Sequence, residues 1–388
     1  HSAPPEDKVK ITAIEIRHFR LPLDPPFAAA WDPVPRRSFG ATLTMVHTDT
    51  GLTGIGSGDT MAGFEAHTHL FVGQDPFDIE RHYQVLDHLN FHYSRYWPLD
   101  LALWDLKGKA CGQPVYNLLG AASGRIGAYA STGEMQTASL RAQSARHLIE
   151  AGFKALKIRF HHKDPQKDIA VVAAVRDAVG NDVAIMVDAN QGWRMPGDTT
   201  PAWDLKTALN IARTLEPYRI FWLEEPLPWD AAEEMAALRN MTSMRIAGGE
   251  MNRNRFDFET LCRARALDVY QPDVALCGGI TGVGKIALRV QAAGAWFSPH
   301  TWTNGIGLLA NLHLACAVSG CPYIEFPFDP PAWSVQRRDF LQANPLMIDG
   351  DGFLTLTDTP GLGFELNPAA LERYEVPHLK QSLKASLA

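Results

Sequence analysis

The feature that most constrains the fold is a series of eight short apolar segments between residues 126 and 326. Longer stretches with apolar residues at helical spacing separate them. Eight strands alternating with helices over roughly 200 residues is the count of a (β/α)8 barrel. The predicted strands are 126–130, 155–160, 183–187, 220–223, 245–247, 268–271, 295–298 and 323–326.

The flanking regions predict a second, α+β domain. Strand patterns at 11–20, 39–48 and 52–57 and helical patterns at 78–89 and 99–109 precede the barrel, and strand patterns return near the end. The sequence therefore predicts a (β/α)7–8 TIM-type barrel at 125–345. An α+β capping domain is predicted from residues 1–124, together with a segment, 346–388, that returns to it. Residues 1–7 are interpreted as a tag remnant or a frayed terminus.

A proline-rich segment at 21–35 interrupts the first strand pattern. Its five prolines predict a loop, because proline lacks a backbone N–H and restricts its neighbour. Phe27 and Trp31 make this segment apolar for a plain surface connection. We therefore expect it to close over a site in the barrel, with Trp31 as a substrate contact.

A doubly wound sheet is the structural alternative, but its first βα turn lacks the G-x-G-x-x-G of a dinucleotide site. Residues 279–285 fit the phosphate-loop pattern G-x-x-x-x-G-K. The next residue is Ile286, where a nucleotide site requires a hydroxyl to hold Mg²⁺. We therefore expect these glycines to allow tight turns rather than to bind a nucleotide.

Composition excludes several partners. With 36 basic and 43 acidic residues the formal charge is −7, which argues against nucleic acid as a partner. Five scattered cysteines without a C-x-x-C favour neither a disulfide framework nor a zinc site, and predict a reducing, cytoplasmic location. No apolar run reaches the ~20 residues that span a bilayer. A small molecule is the expected partner.

Ionisable residues recur at the carboxyl ends of the predicted barrel strands. In a barrel these ends converge on one face, where active sites form. Helix caps at these positions would favour Ser, Thr, Asn and Asp. The residues present are Lys157 and Arg159, Asp188, Glu224, Glu250, Asp273, His300 and Glu325. Clustered carboxylates raise one another's pKa unless a cation compensates them, and oxygen-only ligands suit Mg²⁺.

Five motifs in order resemble those of the enolase superfamily, mandelate racemase subgroup. They are Val187-Asp188-Ala189-Asn190, Trp222-Leu223-Glu224-Glu225-Pro226, Gly248-Gly249-Glu250, Gln271-Pro272-Asp273 and Ser298-Pro299-His300. The resemblance covers almost the whole chain. It implies Mg²⁺-assisted removal of a proton α to a carboxylate, and a homo-oligomer such as an octamer.

The resemblance also implies roles for individual residues. The three expected Mg²⁺ ligands are Asp188, Glu224 and Glu250. His300 with Asp273 would form the acid/base dyad, since an imidazole titrates near the working pH. Glu325 is expected to be a hydrogen-bonding or acidic partner near the substrate. Glu225 is expected to be a structural carboxylate.

The sequence departs from the family at the second barrel strand. Members that racemise commonly carry Lys-x-Lys there, whereas this chain has Lys157-Ile158-Arg159. Arginine stays protonated, so Arg159 is a poor base. Its guanidinium is well suited to donate two hydrogen bonds to a carboxylate or to developing negative charge. We therefore expect one-base chemistry, in which His300 removes the α-proton and then protonates a departing β-hydroxyl. The predicted reaction is dehydration of an aldonic or aldaric acid to a 2-keto-3-deoxy acid.

Two alternatives remain open at this stage. One is a racemase, epimerase or cycloisomerase acting on a hydroxy acid, and the other is a binding protein that kept the barrel and lost the chemistry. For the substrate itself, Lys157 is expected to neutralise its carboxylate and Arg159 to contact it. The further predicted contacts are Asn190, His161, Trp302 and Trp31. Two interpretations of His161 remain, either a structural residue on a loop or a second acid/base. Trp302 either lines the pocket or packs on the barrel rim.

Overall fold

The computed structural model describes residues 8–58, 61–121, 123–162, 164–377 and 381–384, so the prediction for residues 1–7 lies outside it. In chain order the strands are β1 (Ile11–Phe27), β2 (Arg36–Thr48), β3 (Thr53–Gly58), β4 (Arg125–Ser131), β5 (Ala155–Arg159), β6 (Ala184–Asp188), β7 (Ile220–Glu224), β8 (Arg245–Gly248), β9 (Val269–Tyr270), β10 (Trp296–Phe297), β11 (Ile324–Pro327), β12 (Phe353–Thr355) and β13 (Gln381–Lys384).

The helices alternate with the barrel strands as predicted. They are α1 (Ile79–His92), α2 (Pro98–Cys111), α3 (Val115–Leu118), α4 (Ala138–Glu150), α5 (Pro165–Val179), α6 (Leu205–Leu215), α7 (Ala232–Met241), α8 (Arg255–Ala264), α9 (Gly279–Ala292), α10 (Gly305–Ala317), α11 (Val335–Arg338) and α12 (Pro368–Tyr374). In the part of the chain described, no helix has both the length and the apolar character needed to cross a bilayer.

The barrel sheet confirms the predicted fold class. Its eight parallel strands are ordered β10-β9-β8-β7-β6-β5-β4-β11. The two end strands are consecutive in the chain, and the Ser298 hydroxyl following β10 donates to the Tyr323 carbonyl preceding β11 at 2.7 Å. All eight predicted strands form, and each end lies within one residue of its predicted position.

The capping sheet is antiparallel, with strand order β13-β1-β2-β3. The C-terminal segment contacts both units. Strand β12 pairs with β4 of the barrel, whereas β13 pairs with β1 of the cap. The division of the chain at residues 124 and 345 stays a prediction.

Strand β1 runs through part of the proline-rich segment. It extends to Phe27, and its register with β2 shifts between Pro22 and Phe27. The predicted loop over 21–35 is therefore wrong for residues 21–27. The φ angle of proline fits an extended strand. The register shift interrupts the hydrogen-bonded pairing with β2, so no backbone N–H is required at the prolines.

Strand alternation separates an apolar floor from a polar mouth inside the barrel. Tyr129, Ala155, Met186, Trp222, Ala247 and Val269 form a buried cluster of interior side chains. Two residues further along three of these strands come Lys157, Asp188 and Glu224. Because side chains alternate with period two, these polar groups point into the same interior, one layer above the floor.

The cap docks on the barrel through a buried carboxylate of α2. Asp100 accepts hydrogen bonds from the backbone N–H of Thr281 at 3.1 Å and from its hydroxyl at 2.6 Å. A Cβ at Gly279 would lie 2.3 Å from Asp100 Oδ2, so the glycine permits this approach. The glycine-rich run at 279–285 thus begins α9 where the cap helix meets the barrel. Burial raises the pKa of Asp100 to about 6.

Candidate active site

Three buried carboxylates converge at the barrel mouth. Asp188 and Glu224 end β6 and β7, and Glu250 lies two residues after β8. One oxygen of each lies within 4.8 Å of the others. Glu250 Oε2 is buried, with no hydrogen-bond partner among the described residues. An all-oxygen triad with an orphaned acceptor fits a hard divalent cation such as Mg²⁺.

Indole and amide donors orient two members of this triad. The Trp222 indole donates to Glu224 Oε2 at 3.0 Å, and the Gln271 amide donates to the same oxygen at 2.9 Å. The Trp193 indole donates to Glu250 Oε1 at 2.8 Å. These donors fix the orientation of both carboxylates, as surrounding groups do for metal ligands, and they leave Glu250 Oε2 without a donor from the described residues.

Two cations from β5 lie against the carboxylates. Lys157 is fully buried, with Nζ 2.5 Å from Glu224 Oε1 and 2.8 Å from Glu325 Oε1. Burial lowers the pKa of Lys157, but the two carboxylates raise this pKa by more than burial lowers it. The ammonium group therefore stays charged. The pKa of Glu224 is raised to about 6, by burial above all, with Lys157 opposing. Arg159 donates to Asp188 and, at 2.9 Å, to the carbonyl of Thr132.

Aromatic rings of both domains hold the Arg159 guanidinium. Its Cζ lies 4.6 Å from the ring centroid of Trp31 and 5.3 Å from that of Trp302. These two rings meet edge to face at 4.8 Å, and Trp302 stacks on Phe27 at 6.0 Å. Cation–π contacts and fixed hydrogen bonds make Arg159 a rigid positive charge.

His300 and Asp273 form a hydrogen-bonded pair. His300 Nδ1 lies 2.9 Å from Asp273 Oδ2, which places the proton of the neutral ring on Nδ1 and leaves Nε2 towards the triad, 3.7 Å from Glu250 Oε2. Asn311 donates to Asp273 Oδ1 at 2.9 Å and fixes the carboxylate. Burial lowers the pKa of His300, but Glu250 and the bond to Asp273 raise it to about 9.

Glu325 is an anchored anion beneath the cavity. It accepts from the Ser131 hydroxyl at 2.7 Å, the Thr301 N–H at 2.8 Å and the Trp302 indole at 3.1 Å. Burial raises its pKa, but Lys157 and other cations lower it to about 2. Ser131 ends β4, the one barrel strand for which the sequence suggested no site residue. A serine there is typical of capping, so its type gave no signal.

An open cavity of about 470 Å³ lies over these groups. The predicted site residues in its lining are Trp31, Arg159, Glu250, His300 and Trp302. The fully buried predicted residues beneath it are Lys157, Asp188, Glu224, Asp273 and Glu325. The cap also contributes Asp32, Arg36 and Arg95, which the sequence did not single out because no motif marks loop residues that reach a site from another domain.

Asn190 and His161 lie at the edge of the site. Asn190 is buried with φ 50°, and neither amide atom has a hydrogen-bond partner within the described ranges. Asn190 is not among the described residues that line the cavity, so its predicted substrate contact stays a prediction. His161 lies beyond the end of β5, with Nε2 3.7 Å from Asp198 Oδ2, and burial lowers its pKa. His161 is not among the described residues that line the cavity, so its predicted substrate contact remains untested.

The fold and site define a capped-barrel enzyme with clustered carboxylates at the mouth. Residues 11–120 match the N-terminal domain family of mandelate racemase and muconate lactonizing enzyme, and residues 140–370 match the enolase C-terminal domain-like family. The chain therefore belongs to the mandelate racemase group of the enolase superfamily, which confirms the resemblance seen in its motifs.

Individual relatives are enzymes with several outcomes. The chain is 33% identical to arabinonate dehydratase of Saccharolobus solfataricus over 71% of each chain. It is 30% identical to D-galactarolactone cycloisomerase of Agrobacterium fabrum, over 95% of this chain and all of that one. The solved L-talarate dehydratase of Polaromonas sp. JS666, complexed with Mg and L-glucarate, superposes with TM-score 0.80 at 28% identity, covering 98% and 100% of the two chains. These relatives support an enzymatic role.

Proposed function

We propose that this protein is an acid-sugar dehydratase, which converts an aldonic or aldaric acid to a 2-keto-3-deoxy acid and water. The observation that carries the proposal is the pairing of one base with one fixed cation. His300 lies after β10 and Arg159 on β5, at least three strands apart around the barrel, so they face the cavity from different sides. Racemisation by two bases requires a titrating group on each side of the substrate α-carbon, and Arg159 does not supply one.

The acidic triad is the proposed magnesium site. Asp188, Glu224 and Glu250 would hold Mg²⁺, and the solved relative with bound Mg supports this choice. When bound, the ion supplies a Lewis acid that stabilises negative charge developing on the substrate carboxylate. Lys157 and Arg159 add two permanent positive charges beside the same region.

His300 carries the proton in the proposed reaction. The neutral ring is the base, and a cation held by Glu250 would favour it by offsetting the charge that raises the pKa of His300. Its Nε2 removes the α-proton as the C–H electron pair moves towards the carboxylate, and Asp273 stabilises the resulting imidazolium. The same Nε2–H then protonates the β-hydroxyl, so that the C–O bond breaks and water leaves. The enol that remains tautomerises to the 2-keto acid. Asn190, with its free amide, is the proposed partner of a substrate hydroxyl.

The second candidate is an isomerase or cycloisomerase built on the same proton abstraction. The relative that supports it is the D-galactarolactone cycloisomerase, which matches nearly the whole chain. A non-catalytic role has less support, because the triad and the dyad are both assembled. The homo-oligomer and the cytoplasmic location stay predictions.

The test is a Mg²⁺-dependent screen of aldonic and aldaric acids, with semicarbazide detection of 2-keto acids. We expect a 2-keto product with the wild type and a loss of about 10²-fold or more with His300→Asn. His147→Asn, on the exposed face of α4, is the matched control. Stereoisomers without 2-keto acid would overturn dehydration in favour of isomerisation. Absence of α-deuterium exchange from every acid would overturn the enzymatic proposal itself.

A further inference from the structure

A second arginine fork faces the cavity from the cap. Arg36 Nε donates to Asp32 Oδ2 at 2.9 Å, and its Cζ lies 5.8 Å from the ring centroid of Trp31. Both Arg36 and Asp32 line the cavity. Within the described ranges, the two terminal nitrogens of Arg36 have no hydrogen-bond acceptor. The fork is thus oriented by its Nε while its planar end remains available, which suits bidentate binding of a carboxylate.

Cationic side chains line the cavity on its cap side and on its barrel side. Arg36 lines it from the cap, and Arg159 and His300 line it from the barrel. The barrel-side groups lie beside the proposed metal site, where the reacting carboxylate would bind. A substrate with a single carboxylate, bound there, would leave the open end of the Arg36 fork without an anion.

The separation of the two arginines lies within the reach of a six-carbon diacid. Arg159 and Arg36 lie 4.6 Å and 5.8 Å from the same Trp31 ring, so their Cζ atoms are no more than about 10.4 Å apart. The terminal carbons of an extended six-carbon acid are roughly 6 Å apart from ordinary bond lengths. A hydrogen-bonded contact adds roughly 4 Å between a carboxylate carbon and Cζ at each end, so a six-carbon diacid can reach both arginines in a bent conformation.

We propose that Arg36 binds the distal carboxylate of the substrate and makes the enzyme selective for aldaric acids over aldonic acids. This inference rests on the proposed function and narrows its substrate class. Asp32 acts as a positioning residue that holds the fork towards the cavity. The reacting carboxylate binds at the acidic triad, and the chain extends from there past Trp31 to the cap.

The experiment compares acids that differ in one terminal group, such as galactarate with galactonate and glucarate with gluconate. We expect the wild type to prefer the diacid of at least one pair. Arg36→Met should lower the diacid-to-monoacid ratio of kcat/KM by about 30- to 100-fold, the usual worth of a charged hydrogen bond, mainly through KM. Arg37→Met, an exposed neighbour with the same charge change, should leave the ratio unaltered.

Ligand-induced thermal stabilisation in Mg²⁺ keeps this inference separate from catalysis. We expect diacids to raise the melting temperature more than monoacids, and Arg36→Met to remove the difference. Equal losses for both acids of a pair, or a wild-type preference for the monoacid, would overturn the role of Arg36 while dehydration stood. Selective diacid binding without any 2-keto product would instead overturn the proposed function and leave the distal site intact.

Discussion

The guanidinium of Arg159, on a barrel strand, lies 4.6 Å from the indole ring of Trp31, which belongs to the cap. The ring covers the cation that also donates to Asp188 at the bottom of the site. Neither domain therefore completes the cavity alone. The contact explains how the Arg159 side chain is held in place as a permanent positive charge and does not act as a base.

The first prediction distinguishes the role of Arg159 from that of His300 by exchange of the substrate α-proton with deuterium. With a hydroxy-acid substrate in D₂O and Mg²⁺, we expect His300→Asn to abolish exchange of the α-proton. Arg159→Met should lower kcat/KM by about 10²-fold because a charged hydrogen-bond donor is lost, yet exchange should remain detectable by NMR. Exchange on both faces of the α-carbon that requires Arg159 would contradict the one-base mechanism.

The second prediction concerns the metal. Mg²⁺ should raise the melting temperature by a few degrees, since a ligand that binds only the folded state stabilises it by mass action. Asp188→Asn should remove this increment when each variant is compared with and without Mg²⁺ at constant ionic strength. Asp177→Asn, on the exposed face of α5, should retain it. An unchanged increment in Asp188→Asn would place the ion elsewhere.

The third prediction is a pH dependence of stability from the cap–barrel contact. Burial raises the pKa of Asp100 to about 6, with hydrogen bonds from Thr281 and the charge of Lys285 opposing. A raised folded-state pKa favours the protonated acid, so its contribution is complete below pH 4 and is lost as pH rises through 6. Two units correspond to at most about 3 kcal/mol. We therefore expect Asp100→Asn to stabilise the protein more at pH 7.5 than at pH 4.5.

Thermal unfolding at both pH values measures this effect. The amide of Asn keeps the shape of the carboxyl group and can still accept from the Thr281 N–H, so packing should change little. Asp230→Asn, at an exposed position after β7, controls for the loss of one negative charge. A pH difference in Asp100→Asn equal to that of the wild type would show that Asp100 does not titrate in this range.

The fourth prediction concerns space beside the triad. A Cβ at Gly192 would lie 2.3 Å from Glu225 Oε1, so an alanine must displace that carboxylate. Glu225 is buried, and the charges of Glu250 and Asp188 act on it. Gly192→Ala should therefore weaken the Mg²⁺-dependent stabilisation and lower activity. Gly350→Ala, where a Cβ meets nothing within 4 Å, should do neither. Wild-type Mg²⁺ affinity in Gly192→Ala would show that Glu225 moves without affecting the triad.

Local patterns predicted the barrel and the residues at its mouth. Each strand is a short apolar segment whose alternation can be read without its neighbours, and the barrel brings all carboxyl ends to one face. Asp188, Glu224 and His300 were therefore identifiable at strand ends. Strand β1 was not predicted through its prolines, because the ladder irregularity that accommodates them depends on pairing with β2.

The sequence by itself determined the barrel, the family and the chemical groups at the strand ends, since these follow from periodicity and ordered motifs. Only the tertiary structure decided that Trp31 packs on Arg159, that Arg36 faces the cavity, and that Asp100 meets Gly279. These contacts join segments far apart in the chain, and no local pattern records such an approach. Their geometry depends on how the cap packs against the barrel, which is set by the burial of both surfaces together.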